Sequence, residues 1–486
     1  MPVPDVQGAP DLRSDPDVGR ARLAEASAEA HSGTLTRVLG LRDIALTQIV
    51  FVVGVTWVGA AAKLGNQQIF FWLAAMLLFY LPQAAVVIYL TSRMPFEGGL
   101  YQWARIGLSD AMGFMVAWNL WLFAVVLLSS IGLVVSTNLS YVVGGTGSWI
   151  AHSPGFISAA NVGVIVGLAV LAMIGLRVSR WVHNGGSIAL MMAFAVLIGL
   201  PFVRAARGAQ PAYHPLVVAA PAFTLLSLNI FGKLAVGALS GFEYVAVLAG
   251  ECKDPTRTIG RGTIIAAPII SVMFILGTSA VLAFVAPADV NLIGPIPQVL
   301  RLGFGQGGVG EIIAPAAILL LTMRTLANSS IIFTTTTRLP VVAGWDHLLP
   351  QWFTRIHPRL GTPVNSIAVV AVVSILFGLG GIAGVHEQEA YQLLDNAAGI
   401  FYGLTYLVLF AVPLIGLRAL PVRPPVWLRV AAVSGFCVTL LYVGLSILPI
   451  IDVASWQGFA AKISTVIVVC NLIGYAIYKG QGRRGH

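Results

Sequence analysis

Apolar residues in this chain come in long blocks rather than in alternation. Twelve such blocks, parted by short polar connections, cover residues 44–64, 69–91, 112–142, 157–176, 185–203, 222–250, 263–285, 310–338, 364–384, 392–417, 427–449 and 457–478. About 20 mostly apolar residues make a helix that crosses the hydrocarbon layer. The pattern therefore predicts an all-α polytopic membrane protein with about twelve transmembrane helices. The third, sixth and eighth blocks exceed the required length, so they are predicted to be tilted, broken or extended beyond the bilayer.

Composition supports this reading. Of 486 residues, 57% are hydrophobic and only 10% charged, against about a quarter charged in soluble domains, and the mean hydropathy is +0.88. Disordered, collagenous and coiled-coil chains need charge, Gly/Pro periodicity or heptads that are absent here. The net charge of +9 would suggest nucleic acid only if it lined one face, and the basic residues are scattered between apolar runs. The three cysteines, Cys252, Cys437 and Cys470, show no CxxC spacing, and the eight histidines show no paired spacing. No metal site, disulfide framework or cofactor is predicted. Residues 1–42 lack an apolar core and read as a polar, disordered tail rather than a signal peptide.

Basic residues are retained on the cytoplasmic side of a membrane. With the N-terminus inside, 21 Lys and Arg fall in the cytoplasmic segments and four (Lys63, Arg204, Arg207 and Arg301) in the outer ones. Both termini are thus expected in the cytoplasm of a multi-pass protein of the plasma or bacterial inner membrane.

Two spans carry clustered glycines at mid-depth. Helix 1 contains Val53, Gly54, Val55, Thr56, Trp57, Val58 and Gly59; helix 6 contains Gly237, Ala238, Leu239, Ser240, Gly241 and Phe242. Interrupted helices at corresponding places in two halves point to a transporter's binding site. The clusters are five helices apart, and because five is odd the second copy enters from the opposite side. The expected architecture is a five-plus-five inverted repeat with helices 1 and 6 broken. Its parts are a cytoplasmic tail (1–42), a first repeat (43–203), a second repeat (204–418), two appended helices (419–479) and a C-terminal tail (480–486). Unwinding a helix in lipid frees N–H and C=O groups that a polar ligand in a cavity satisfies. Half-helix N-termini favour a carboxylate and freed carbonyls favour a cation, so the two breaks suit a zwitterion. The alternative is that these glycines only let helices pack closely. Val53, Gly54, Val55, Thr56, Trp57, Gly237, Leu239, Ser240, Gly241 and Phe242 are the candidate substrate-binding residues.

Three stretches carry a resemblance: Pro95 to Trp103 after helix 2; Gly241-Phe242-Glu243 through Gly250-Glu251-Cys252-Lys253-Asp254-Pro255-Thr256-Arg257; and Arg338 through Asp346-His347-Leu348-Leu349-Pro350 to Gly361-Thr362-Pro363. In order and spacing the chain resembles the amino acid-polyamine-organocation superfamily of permeases over roughly residues 35–480. The resemblance implies the LeuT-type fold, alternating access, and amino acids or polyamines as substrates. Where many members have a Gly-Ser-Gly-like triplet in helix 1, this chain has Val53-Gly54-Val55 followed by Thr56. The lysine that some proton-coupled members carry in helix 5 has no counterpart between 185 and 203.

A charge at bilayer depth costs about 2.5–3.5 kcal/mol on insertion scales, so each one asks for a partner or a job. Glu243 follows the helix 6 break, either as a carboxylate stabilised by a half-helix N-terminus or as a proton carrier. Lys233 and Arg324 are expected near the outer vestibule, in a salt bridge with Asp395 or else unpaired, attracting acidic substrates and repelling polyamines. Asn328, Ser329 and Ser330 lie where related folds bind sodium against helix 1; the competing reading is a hydroxyl bonded to its own backbone. Trp57 and Phe242 adjoin the breaks as candidate gates, whereas Trp118 and Trp121 read as packing or interface anchors.

No HExxH or GxSxG constellation supports a membrane enzyme. A non-transporting receptor would need a signalling domain that the short loops do not provide. The expected function is secondary active amino acid transport, the alternative a polyamine or other organocation carrier. The expected partners are a small-molecule amino acid, the lipid bilayer and a coupling proton or sodium ion, with no nucleic acid.

Overall fold

The computed structural model describes residues 40–93, 99–174, 179–206, 208, 218–242, 255–305, 308, 310–342, 349, 351–416 and 424–482. Every regular element among them is helical. Among the described residues, nine helices are long and apolar enough to cross a membrane, and they coincide with the blocks expected as helices 2, 3, 4 and 7 to 12. The remaining three blocks are the broken first and sixth and the fifth, whose helix Ser179–Ala206 has a shorter apolar stretch at Leu190–Ala206.

Helix 1 is split. α1 (Leu41–Val52) ends, residues 53–56 leave helical winding, and α2 (Trp57–Ala62) resumes. Helix 6 begins as α3 (Leu225–Gly232), entered through a capping box in which the Thr224 side chain accepts from the Ser227 N–H. It widens into a π-turn at Lys233–Ala238 and stops at 239–241, where Gly241 has φ 103°. That backbone region is open to glycine and strained for other residues, so the glycine is required by the break itself. A second π-turn, Met76–Tyr80 in helix 2, packs against the first. Such turns relax the i→i−4 ladder and often mark working parts of a helix.

The overlong third block resolves into α4 (Asp110–Ser129) and α5 (Ile131–Val143), bent where the Ser129 and Ser130 hydroxyls bond the Val126 and Leu127 carbonyls. Asn161 caps the bend by accepting from the Gly132 N–H at 3.2 Å. The eighth block stays continuous as α6 (Gly310–Val342). The tenth is α7 (Glu387–Ile415) and the seventh is α8 (Pro255–Leu282).

Helices 1 and 2 are tied to α8 by buried polar bonds: Gln48 Nε2 to Thr263 Oγ1, Gln68 Nε2 to Ser279 Oγ and Trp72 Nε1 to Thr278 Oγ1, each 3.1 Å. In lipid, such bonds between helices add to close packing, since no hydrophobic drive separates helix from hydrocarbon. Trp72 stacks on Phe274 of α8 at 4.2 Å in the same seam, and Phe123 of α4 stacks on Tyr402 of α7 at 4.3 Å in another. Glu243, Glu97 and the 1–39 tail lie outside the described residues.

Candidate functional site

The two breaks meet across a single side chain. A Cβ placed on Gly54 would stand 2.6 Å from Trp57 Cδ1, and one placed on Gly237 would stand 2.4 Å from Trp57 Cη2. The indole therefore spans the gap between helix 1 and helix 6, one edge on each glycine. Both glycines are needed for close approach, and the group that approaches is Trp57. The partly open cleft beside the break, lined by Val55, Val134, Asn138, Leu321 and Thr325, has a cavity volume of about 10 Å³, about what a single water needs. This arrangement is a closed one with the ring in place.

The backbone groups freed at the two breaks have different fates. At helix 6 the Leu239 carbonyl and the Gly241 and Phe242 N–H groups are satisfied by side chains. The hydrogen-bond network orients the Gln83 amide so that Nε2 donates to Leu239 O at 3.1 Å while Oε1 accepts from the Tyr406 hydroxyl at 2.6 Å and the Phe242 N–H at 3.2 Å. The Gly241 N–H donates to the Tyr406 hydroxyl at 3.0 Å. Ser240 turns its hydroxyl back to Val236 O, and Leu239 and Phe242 are fully buried. Phe242 meets Tyr80 edge-on at 6.2 Å, a packing contact. Helix 6 is thus braced at its break by Gln83 from helix 2 and Tyr406 from α7.

Helix 1 is not braced in this way. Among the described residues, the N–H groups of Gly54, Val55 and Thr56 have no hydrogen-bond partner, and Thr56 precedes α2 without a side-chain cap. These donors sit at a helix N-terminus, where backbone dipoles favour an anion. On the carbonyl side, Arg324 from α6 donates to Val53 O at 3.4 Å, so a guanidinium complements the carbonyl end of the break.

Lys233, in the π-turn of helix 6, is 2% exposed and donates to Asn396 Oδ1 on α7. It interacts electrostatically with Asp395, the neighbouring residue. The expected direct salt bridge is not formed: no ion pair within 4 Å links Asp395 to Lys233 or Arg324 among the described residues. Lys233 finds the amide oxygen next to the carboxylate, and Arg324 faces the opposite break. Tyr391, one turn before Asp395 on α7, interacts with the Thr56 side chain. Helix 1, helix 6 and α7 thereby share one polar cluster: Thr56, Tyr391, Asp395, Asn396 and Lys233.

The remaining candidates are less well placed. Asn328 is exposed on α6, and the structure does not bring it to the break; Ser329 is buried on the same helix. Trp118 anchors helix 3 to the last helix through Nε1 to Cys470 O at 2.9 Å and stacks on Trp121 at 5.5 Å. Sequence reasoning missed Gln83, Tyr391, Tyr406 and Asn396. Each is a polar residue in an apolar span, and that was the only available signal.

A family profile described as amino acid permease matches residues 39–470. An uncharacterized transporter of Legionella pneumophila is 24% identical over 377 residues, covering 77% of this chain and 80% of that protein. The methylthioribose transporter of Bacillus subtilis is 24% identical (74% and 78% covered), as is its branched-chain amino acid permease (75% and 80%). Among solved structures, that of MhsT in complex with L-phenylalanine aligns with a TM-score of 0.57 at 14% identity, covering 83% of this chain and 97% of that one, a likeness of LeuT-type fold.

Proposed function

This chain belongs to the amino acid permease family, and from that premise we propose that it carries amino acids across the membrane by alternating access. It is a multi-pass membrane transporter, and the family and the relatives are transporters, not enzymes. The observation that carries amino acid transport is the asymmetry of the two breaks. Helix 6 is braced by side chains, while helix 1 leaves the N–H groups of Gly54, Val55 and Thr56 free of partners beside α2. A substrate carboxylate fits those donors, and its ammonium fits the Asp395 side of the polar cluster.

The same cluster supports amino acids over polyamines. Among the described residues, buried Lys233 stands beside the carboxylate Asp395 in the cluster, and part-buried Arg324 stands at the helix 1 break. A zwitterion meets its opposite charge at both ends, whereas among the described residues a dication finds a carboxylate at one end only. Trp57 is the gate: its indole occupies the gap between Gly54 and Gly237 and swings aside to admit the ligand. We take the twelve spans to form two inverted repeats, 43–203 and 204–418, with both termini cytoplasmic, and the two helical bundles to rock about the paired breaks. A proton or sodium ion supplies the drive.

The test is uptake of labelled amino acids into proteoliposomes containing the purified full chain, with a diamine and a methylthio-sugar as competing classes. Saturable amino acid uptake that neither competitor abolishes is expected. Robust flux of a competitor with no amino acid uptake would overturn the reading. Repeating the assay with and without sodium at two pH values identifies the coupling ion.

A further inference from the structure

Away from the breaks, three metal-type ligands converge at one end of the bundle. His152 closes a short helix, α9 (Ser148–His152), just before the fourth span, α10 (Pro154–Ile174). His386 immediately precedes α7, and Glu387 is the first residue of α7. His152 Nε2 lies 3.5 Å from Glu387 Oε1, and His386 Nδ1 lies 3.0 Å from Glu387 Oε2. One donor atom from each residue falls within 4.8 Å of the other two. The Glu387 side chain is 11% exposed, while the imidazoles are 58% and 68% exposed. The carboxylate forms a floor and the rings an accessible rim.

The tautomer of His152 is set by its other nitrogen. Nδ1 lies 2.7 Å from the Ser148 carbonyl, which can only accept, so Nδ1 carries a proton and Nε2 is the nitrogen turned toward the carboxylate. The contact of Nε2 with the carboxylate calls for a positive charge between the two atoms, which a proton on Nε2 or a bound cation supplies. A backbone carbonyl on the far ring nitrogen is also the usual outer support of a zinc-bound histidine, fixing its tautomer and orientation. Tetrahedral bonds of about 2.0–2.1 Å place neighbouring ligand atoms about 3.3–3.4 Å apart; the two N···O contacts here, 3.5 Å to Oε1 and 3.0 Å to Oε2, each lie within a few tenths of an ångström of that spacing. The N-terminus of α7 opposes a cation with about half a unit of charge, and Glu387 and Glu389 in its first turn offset it.

We propose that His152, His386 and Glu387 form a binding site for a divalent transition cation of the zinc type, with the fourth coordination position open to water. Two imidazoles and one carboxylate select zinc-like ions over magnesium or calcium, which prefer all-oxygen shells. The site joins the connection before α10 to the start of α7. That helix carries Tyr391 and Asp395 one and two turns on, the latter about 12 Å along the axis. A bound ion therefore staples the helix that lines the polar cluster to the neighbouring connection.

Isothermal titration of the full chain in detergent with zinc chloride, using magnesium and calcium chloride as comparators, tests this without any substrate. Its failure is thus separable from failure of the transport reading. One saturable zinc ion per chain is expected, with a zinc-dependent rise in the unfolding temperature and no response to magnesium or calcium. H152A, H386A and E387Q should each weaken binding at least tenfold. H357A, a change at an exposed histidine outside the cluster, should not. The rings are exposed, so the histidine variants are expected to fold, E387Q keeps the shape of its largely buried side chain, and unfolding without metal verifies both. No saturable zinc binding, or an unchanged isotherm in the H152A/H386A double variant, overturns the proposal.

Discussion

Replacing Gly237 with alanine adds one methyl group, and the structure says where it goes. The new Cβ stands 2.4 Å from Trp57 Cη2, 2.8 Å from Cζ3 and 3.1 Å from Cζ2, all inside van der Waals contact. The indole cannot simply retreat, because its other edge lies on Gly54, where a Cβ would stand 2.6 Å from Cδ1. Either the ring leaves the gap or the two helices part. Overpacking of this kind costs about 1–3 kcal/mol, which lowers the population of the closed arrangement about 5–150-fold relative to one with the ring swung aside. Trp57→Phe shortens the ring at the same edge and should recover most of the loss. The assay is thermal unfolding of purified Gly237→Ala, Trp57→Phe and the double variant, with uptake measured separately on reconstituted protein. Gly237→Ala should be less stable and altered in flux, and the double variant more stable than the sum of the single effects. Wild-type stability and flux in Gly237→Ala, or additivity within about 0.5 kcal/mol, would refute the placement of the indole between the breaks.

Three further outcomes follow from the polar contacts. Lys233→Met and Asp395→Asn should each destabilise by stranding a buried partner, while the double variant loses about 1–3 kcal/mol less than the sum; the ceiling is about 4 kcal/mol because the charges are more than 4 Å apart. A denaturation cycle in mixed micelles measures it, and strict additivity would show that the two charges do not communicate. Arg324→Met leaves the Val53 carbonyl without its donor, costing about 1–3 kcal/mol, and should reduce uptake; a fully active, fully stable variant would exclude a role for the guanidinium at the break. Tyr406→Phe removes the acceptor of the Gly241 N–H and the partner of Gln83, so unfolding should shift by a similar amount, and an unchanged melting curve would mean that helix 6 is braced by other contacts.

The helical spans were legible in the sequence because a fixed hydrocarbon thickness imposes a length and a polarity on every segment that crosses it. The interruptions of helices 1 and 6 were legible for a related reason. Gly54, Gly237 and Gly241 mark places where a side chain must be absent, and Gly241 at φ 103° is a local backbone requirement. What fills or braces each gap was not legible, because it depends on residues far away along the chain. The glycines announced a cavity for a ligand; tertiary packing placed the Trp57 indole there in this conformation. Gln83 and Tyr406 brace helix 6 from two other spans, and Arg324 reaches Val53 O from a third. A pairing of Lys233 with Asp395 was a fair inference from charge alone, yet the ammonium bonds Asn396 one residue on, a choice made by the rotation of α7 and visible only once that helix is packed. His152 and His386 carried no metal spacing in the chain and meet only because two connections close over the same end of the bundle. Sequence decided which segments enter the membrane and where they must loosen, since both are set by local chemistry. Which side chain answers each freed carbonyl or charge was decided by the three-dimensional arrangement, since a partner in a dry interior is found across helices and not along them.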